Sequence, residues 1–166
     1  MDLLQETLLE GIEAAAPASL LCIAPALPAA AAHWESHGDD RTATLLAPTE
    51  ALSALASLGR FDYAVVFDAL ETLSLADGSA LIARLRDLHC HRFAVSHRDL
   101  AEGEDQDRWT DGRFVALTLA LHRRITEGAG GTTSVYAYDI DSYNRRREWN
   151  SPKDWANPAN FHRWRW

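Results

Sequence analysis

Four short strand-like runs rich in apolar residues, each set apart from the next by a segment of helical or polar character, constrain this chain more than any other feature. They are SLLCIA at 19–24, TATLLA at 42–47, FDYAVVF at 61–67 and RFAVS at 92–96. The first is continuously apolar, as suits a strand covered on both faces, the third is dense in β-branched and aromatic residues, and strands alternating with helices imply a parallel sheet. The intervening segments supply the covering helices. Leu4, Leu8, Ile12 and Ala15 recur at helical spacing until Pro17, so 3–16 reads as an amphipathic helix. Pro28 to His37 reads as a second helix, with Gly38 just past its end where a left-handed turn costs little. Pro48 opens a third, carrying Leu52, Leu55 and Leu58 before Gly59. Ser74 and Asp77 form a capping box, and Leu81, Ile82, Leu85 and Leu88 put one apolar stripe on the helix that follows.

Beyond the fourth run the pattern changes. Asp99 to Asp111 is acidic and poor in apolar residues, which predicts a solvated, mobile loop, and Phe114 to Leu117 suits a helical turn. Leu119 to Ile125 and Thr133 to Ile140 then read as two strands joined by EGAGG, a hairpin with more than two residues in its loop. The expected architecture is an α/β, Rossmann-like three-layer sandwich: a mostly parallel sheet with helices on both faces and a C-terminal antiparallel hairpin.

With 47% hydrophobic and 24% charged residues, a chain of 166 residues can bury a full core as one domain. No apolar run approaches the ~20 residues that span a bilayer, and the start, MDLLQETLLE, is acidic where a secretory leader is basic; the expectation is a cytoplasmic protein without a membrane partner. Cys22 and Cys90 stand far apart with no CxxC pair, as expected of two buried thiols. Residues 1–141 hold ten Arg against twenty-two Asp and Glu, a charge of −12, whereas 142–166 carries +4. An acidic body disfavours nucleic acid as a partner.

The stretch RFDYAVVFDALETL, a helix, RFAVS, a loop and a closing hairpin together resemble the C-terminal half of a class I S-adenosylmethionine-dependent methyltransferase. The resemblance covers roughly 19–140 and extends to an uncharacterised bacterial group of small methyltransferase-like proteins. It implies a methyltransferase-like domain over 1–141; the Arg/Trp-rich extension 142–166 lies outside the resemblance, and its charge and tryptophans make it an extension docked on that domain. The resemblance also implies a glycine-rich turn after the first strand, where backbone amides approach the cofactor, and an acidic residue at the end of the second strand for the ribose. Here the turn reads Ala24-Pro25-Ala26-Leu27-Pro28, and the second strand ends in Ala47-Pro48. One strand and helix of the usual set are also missing, so a reduced strand number is expected. The reading that follows is a domain that binds no cofactor and acts in protein interaction or regulation; an active methyltransferase using S-adenosylmethionine in an atypical pocket is the alternative.

Ligands of open parallel sheets bind beyond the carboxyl ends of the strands. That places Ala24, Pro25, Ala26 and Asp68 around the expected crevice, with Asp68, Glu71 and His97 as candidate catalytic groups. Asp68 and Glu71 can act as a carboxylate pair or general base, or can merely cap the start of a helix, and capping is the favoured reading. Ser96, His97 and Asp99 hold the residue types of a nucleophilic triad, yet neighbouring strand positions face opposite ways. His89, Cys90 and His91 are consecutive, an arrangement that rarely converges on one ion, so no metal is expected.

The tail from Tyr143 alternates arginine with aromatics. Arg145, Arg146, Arg147, Trp149, Trp155, Trp164 and Trp166 can anchor a protein partner, can stack on single-stranded nucleic acid, or can pack on the acidic body. Packing on the body is preferred, because exposed indoles would leave too much apolar area in water.

Overall fold

The computed structural model describes residues 1–99, 108–126 and 131–143. In chain order these form α1 (Leu3–Ala15), β1 (Ser19–Ile23), α2 (Ala29–Ser36), β2 (Thr42–Leu46), α3 (Pro48–Leu55), β3 (Tyr63–Val66), a 3-10 turn (Leu70–Thr72), α4 (Leu75–Arg84), a π turn (Leu85–His89), β4 (Arg92–Asp99), α5 (Asp111–Ala116), β5 (Ala120–Thr126), β6 (Thr132–Asp139) and α6 (Ile140–Tyr143). The strands lie in one sheet in the order β2-β1-β3-β4-β6-β5. The β1–β2, β1–β3 and β3–β4 pairs are parallel, and β4–β6 and β5–β6 are antiparallel. This is the mixed, hairpin-ended α/β sheet the sequence predicts.

Alternation along the central strands sorts side chains into two cores, one per face. Leu21, Ile23, Ala64, Val66, Phe93 and Val95 pack under α3, α4 and α5 through Leu55, Leu81, Ile82 and Phe114. Leu20, Cys22, Tyr63, Val65 and Ala94 pack under α1 and α2 through Leu8, Ile12, Ala30, Ala31 and Trp34. Every residue of β3 is buried, as its dense apolar run requires. Both cysteines are buried free thiols, each pushed up to about 12 chiefly by burial.

The two edges are protected differently. On β2, the Ala43 amide donates to Glu35 Oε1 of α2 at 3.0 Å, taking up a donor that another strand would need. On β5, the register shifts between Leu121 and Arg123, and Arg123 and Arg124 place charge along the edge.

Several expectations are corrected. Gly38 is not the left-handed residue after α2; His37 closes that helix at φ −101, and among the described residues those with positive φ other than glycine are Ala16, Asp68 and Thr118. The apolar stripe of α4 does not run on through Leu88, which is 56% exposed, while His89 is buried. The π turn explains both: the Cys90 amide reaches back five residues to the Leu85 carbonyl at 2.8 Å, and the widened turn rotates the last side chains out of phase. Phe61 pairs with Cys90 as an isolated bridge rather than opening β3, and β4 runs three residues past Ser96 because β6 pairs with it as far as Asp99. Of the acidic loop, residues 100–107 lie outside the described residues, as do 127–130 of the hairpin loop.

Candidate functional site

The carboxyl ends of β1, β2, β3 and β4 carry the candidate site. After β1 the chain turns through Ala24 to Pro28, with Ala24 and Pro28 buried and Pro25 and Ala26 exposed. Pro28 is the N-cap of α2 and has no side-chain hydrogen bond to offer. The amide supply of this turn is therefore small, since neither Pro25 nor Pro28 has an N–H. The Ala30 amide, in the first turn of α2, donates to Gln5 Oε1 at 2.9 Å in a buried contact. Gln5 comes from α1 and was not among the residues the sequence reading singled out; a buried polar side chain on the apolar face of an amphipathic helix is the signal that would have found it. At the end of β2, Ala47 leads into a buried Pro48, the first residue of α3.

The second half of the site lies beyond β3 and β4. Asp68 holds φ 46, a left-handed conformation that costs most residues roughly 1 to 3 kcal/mol, though aspartate tolerates it better than others. Glu71, in the 3-10 turn that follows, does not cap a helix. Its Oε1 accepts the Arg98 amide at 2.7 Å, bridging the turn to the end of β4. The N-cap of α4 is Ser74, whose Oγ accepts the Asp77 amide at 3.1 Å. The capping reading of Glu71 is thus replaced by a tie between two strand ends.

His97 completes the cluster. Its Nδ1 lies 3.4 Å from Glu71 Oε1, within ion-pair range but without the alignment of a hydrogen bond, and the two side chains are 15% and 18% exposed. Nδ1 of His97 is the buried side-chain polar atom without a hydrogen-bond partner among the described residues. Such an atom calls for an explanation, because leaving it unpaired is costly. Burial pushes the Glu71 carboxyl up, but His97 and the Arg98 amide more than offset it, so Glu71 sits below the usual carboxylate range.

A layer of aromatic rings covers His97. Phe114 lies 5.8 Å away and Trp109 6.4 Å away, Trp109 stacks on Phe114 at 4.8 Å, and Phe114 stacks on Tyr136 at 3.8 Å. Trp109 rests on α4 at Gly78, where a Cβ would lie 2.7 Å from its Cζ2. Arg108 and Asp99, which bracket residues 100–107, form an ion pair at 2.8 Å. Trp109 and Gly78 were also missed by sequence reasoning, since only tertiary contact reveals them.

The structure does not bring the remaining candidates together. Val95 and Ala94 belong to opposite cores, so Ser96 and His97 also face apart, and Asp99 pairs with Arg108; the triad is absent. His89 Nδ1 bonds the Gly59 carbonyl at 2.9 Å and His91 Nε2 accepts from Arg60 at 2.7 Å, while Cys90 is buried. Among the described residues no cluster has the make-up of a metal site. No helix of the described residues is long and apolar enough to cross a membrane. The tail residues Arg145, Arg146, Arg147, Trp149, Trp155, Trp164 and Trp166 lie outside the described residues.

A model of a family of unknown function, DUF6231, matches residues 2–166. No curated protein sequence matches the chain. Among solved structures, the magnesium protoporphyrin IX methyltransferase ChlM from Synechocystis PCC 6803 with bound SAH aligns at a TM-score of 0.55 and 10% identity, over 81% of this chain and 80% of that one. A TehB-like SAM-dependent methyltransferase from Corynebacterium glutamicum aligns at 0.52 and 14% identity, over 81% and 88%. The mitomycin 7-O-methyltransferase MmcR aligns at 0.50 and 15% identity over 81% of this chain and 54% of that one, so this chain spans about half its length. At such identities the likeness is one of fold: the chain is a methyltransferase-like, Rossmann-like α/β protein.

Proposed function

We propose that this chain, which belongs to DUF6231, a family of unknown function, has kept the methyltransferase-like sheet while losing the usual hold on S-adenosylmethionine, and acts in protein interaction or regulation. The observation that carries this reading is the turn after β1. It contains no glycine, two of its five residues are prolines, and the Ala30 amide at the start of α2 is spent on Gln5. A cofactor held there would have to displace a buried hydrogen bond and pass side chains at Ala24, Pro25 and Ala26. The end of β2 offers Ala47 and Pro48 in place of a carboxylate for the ribose hydroxyls. These residues do not fit the adenosyl group, and no chemical step is assigned through it.

The tail belongs to the same reading: its +4 charge and four tryptophans suit docking on the acidic body or on an acidic protein partner. One observation favours a second reading, an active methyltransferase with an atypical pocket. Asp68 is held left-handed at the carboxyl end of β3, beside the Glu71–His97 pair, and strained backbone gathers at functional sites. A thermal-shift titration of the full chain with S-adenosylmethionine and S-adenosylhomocysteine decides between them. A ligand at a hundred times its dissociation constant stabilises by ~2.7 kcal/mol. An unchanged melting temperature is expected; a saturable rise overturns the first reading in favour of the second.

A further inference from the structure

A cleft of about 390 Å³ opens at the opposite, amino end of the parallel strands. Its volume lies within the range of about 300 to 1,000 Å³ typical of small-molecule sites. Three stretches converge on it: the end of α1 at Ala15 and Ala16, the approach to β3 at Arg60 to Asp62, and the approach to β4 at His89 to Arg92, with Asp141 of α6 alongside. Two of these stretches depart from regular backbone. Ala16 has φ 45, a left-handed conformation at a residue with a Cβ, and the π turn delivers His89 to the interior of the cleft.

The charges of the cleft divide into those already neutralised and those that are not. Arg92 is closed on Asp139 at 3.3 Å and on Asp141 at 2.7 Å. Asp62 has no cation within ion-pair distance among the described residues. Its Oδ2 instead accepts the Ser19 amide at 2.8 Å, the Ser19 hydroxyl at 2.9 Å and the Ala18 amide at 3.0 Å, leaving Oδ1 open. Those bonds, the Ser19 amide foremost, hold its carboxyl below the usual range and keep it ionised.

Arg60, two residues away, has no carboxylate partner among the described residues. Its Nε donates to the Leu88 carbonyl at 3.2 Å and its Nη1 to His91 Nε2 at 2.7 Å, both neutral acceptors that aim the guanidinium without cancelling its charge. One cation and one anion therefore line the same cleft, neither with an ion-pair partner among the described residues. The carbonyl end of α1 adds partial negative charge on the side of Asp62.

We infer that this cleft binds a small zwitterion of the free α-amino-acid class, with its carboxylate on the Arg60 guanidinium and its ammonium on Asp62. The planar fork of arginine matches a carboxylate and Asp62 an ammonium, and because both line one cleft they suit a ligand that carries both ends. His89 also lines the cleft, its ring held in place by the contact of Nδ1 with the Gly59 carbonyl at 2.9 Å.

The test is an amide-resolved NMR titration of the full chain with each standard free L-amino acid at neutral pH. The amino acid that binds is then repeated as its N-acetyl form, which lacks the ammonium, and as its carboxamide, which lacks the carboxylate. Saturable shifts at residues 60–62 and 89–92, weakened about tenfold or more by either cap and by Arg60→Gln, are expected. No saturable shift with any free amino acid at millimolar concentration overturns the inference, as does equal binding of the capped forms. The capped ligands keep the result decisive should R60Q fail to fold.

Discussion

Replacing Gln5 by methionine asks directly whether the start of α2 depends on a side chain from α1. Gln5 is 8% exposed, and its Oε1 takes the Ala30 amide at 2.9 Å. Methionine keeps the length of the side chain and matches glutamine in helix propensity, so α1 itself is not weakened. What changes is the acceptor. A buried N–H left without a partner costs about 1 to 3 kcal/mol, centred on ~2, and the apolar tip returns only a fraction of a kcal/mol because the site was already mostly buried, so Q5M should lose about 1 to 2 kcal/mol. For a domain of this size each kcal/mol corresponds to roughly 2 to 4 °C, which places the fall in melting temperature between about 2 and 8 °C. Urea unfolding followed by circular dichroism should show a lower midpoint at unchanged slope. Stability within ~0.3 kcal/mol of the parent would refute the reasoning, because the Ala30 amide would then have another partner. Q5M also frees that amide, yet Pro25 and Pro28 remain, so S-adenosylmethionine should still leave its melting temperature unmoved.

Three further outcomes follow from the geometry. Gly78→Ala forces Trp109 away from a Cβ at 2.7 Å and Leu70 from one at 3.2 Å; overpacking of about 1 to 3 kcal/mol exceeds the ~1 kcal/mol gained in helix propensity, so a more stable G78A would mean Trp109 is not seated there. Cys22 and Cys90, pushed up to about 12, should resist a thiol reagent at pH 8 until urea unfolds the chain, and stoichiometric labelling of the native protein would contradict the packing. Asp62 and Glu71 are both held below the ordinary carboxyl range, so each stabilises the fold above that range and the contribution is lost as pH falls through the lowered folded value. Stability measured from pH 7 down to pH 3 should therefore fall less steeply in Glu71→Gln than in the parent, and identical acid limbs would rule out the tie from Glu71 to His97 and Arg98. The effect at Asp62 should be the smaller, since that residue is exposed and solvent screens it.

Most of the sheet was legible because strand burial leaves a mark in composition. β1 and β3 read as SLLCI and YAVV, with no polar residue past the first, and each is covered on both faces as that pattern demands. The stretch from Arg98 to Asp99 carries no such mark. It is strand only because β6 supplies Thr133 and Thr132 opposite, a pairing set by the hairpin and not by local preference. The phase of α4 failed for a related reason. Leu81, Ile82, Leu85 and Leu88 keep a helical period, but the period assumes 3.6 residues per turn throughout, and one π turn is enough to send Leu88 to solvent and His89 inward.

The site divides along the same line. What is missing from the turn after β1 is local, five consecutive residues without a glycine, and could be read directly. What fills its place is not: Gln5 and Ala30 are twenty-five residues apart, and Glu71 and Arg98 twenty-seven, so both contacts depend on how α1 and the 3-10 turn are docked. Asp68 and Glu71 look alike in sequence, two carboxylates after a strand, yet one is set apart by a left-handed backbone and the other by a bond to a neighbouring strand end. Oε1 of Glu71 meets both the Arg98 amide and His97 Nδ1, so one carboxylate oxygen ties the 3-10 turn to the end of β4. His97 and the rings that cover it are docked against this tie, and the buried nitrogen without a hydrogen bond lies there, where no sequence pattern marks it.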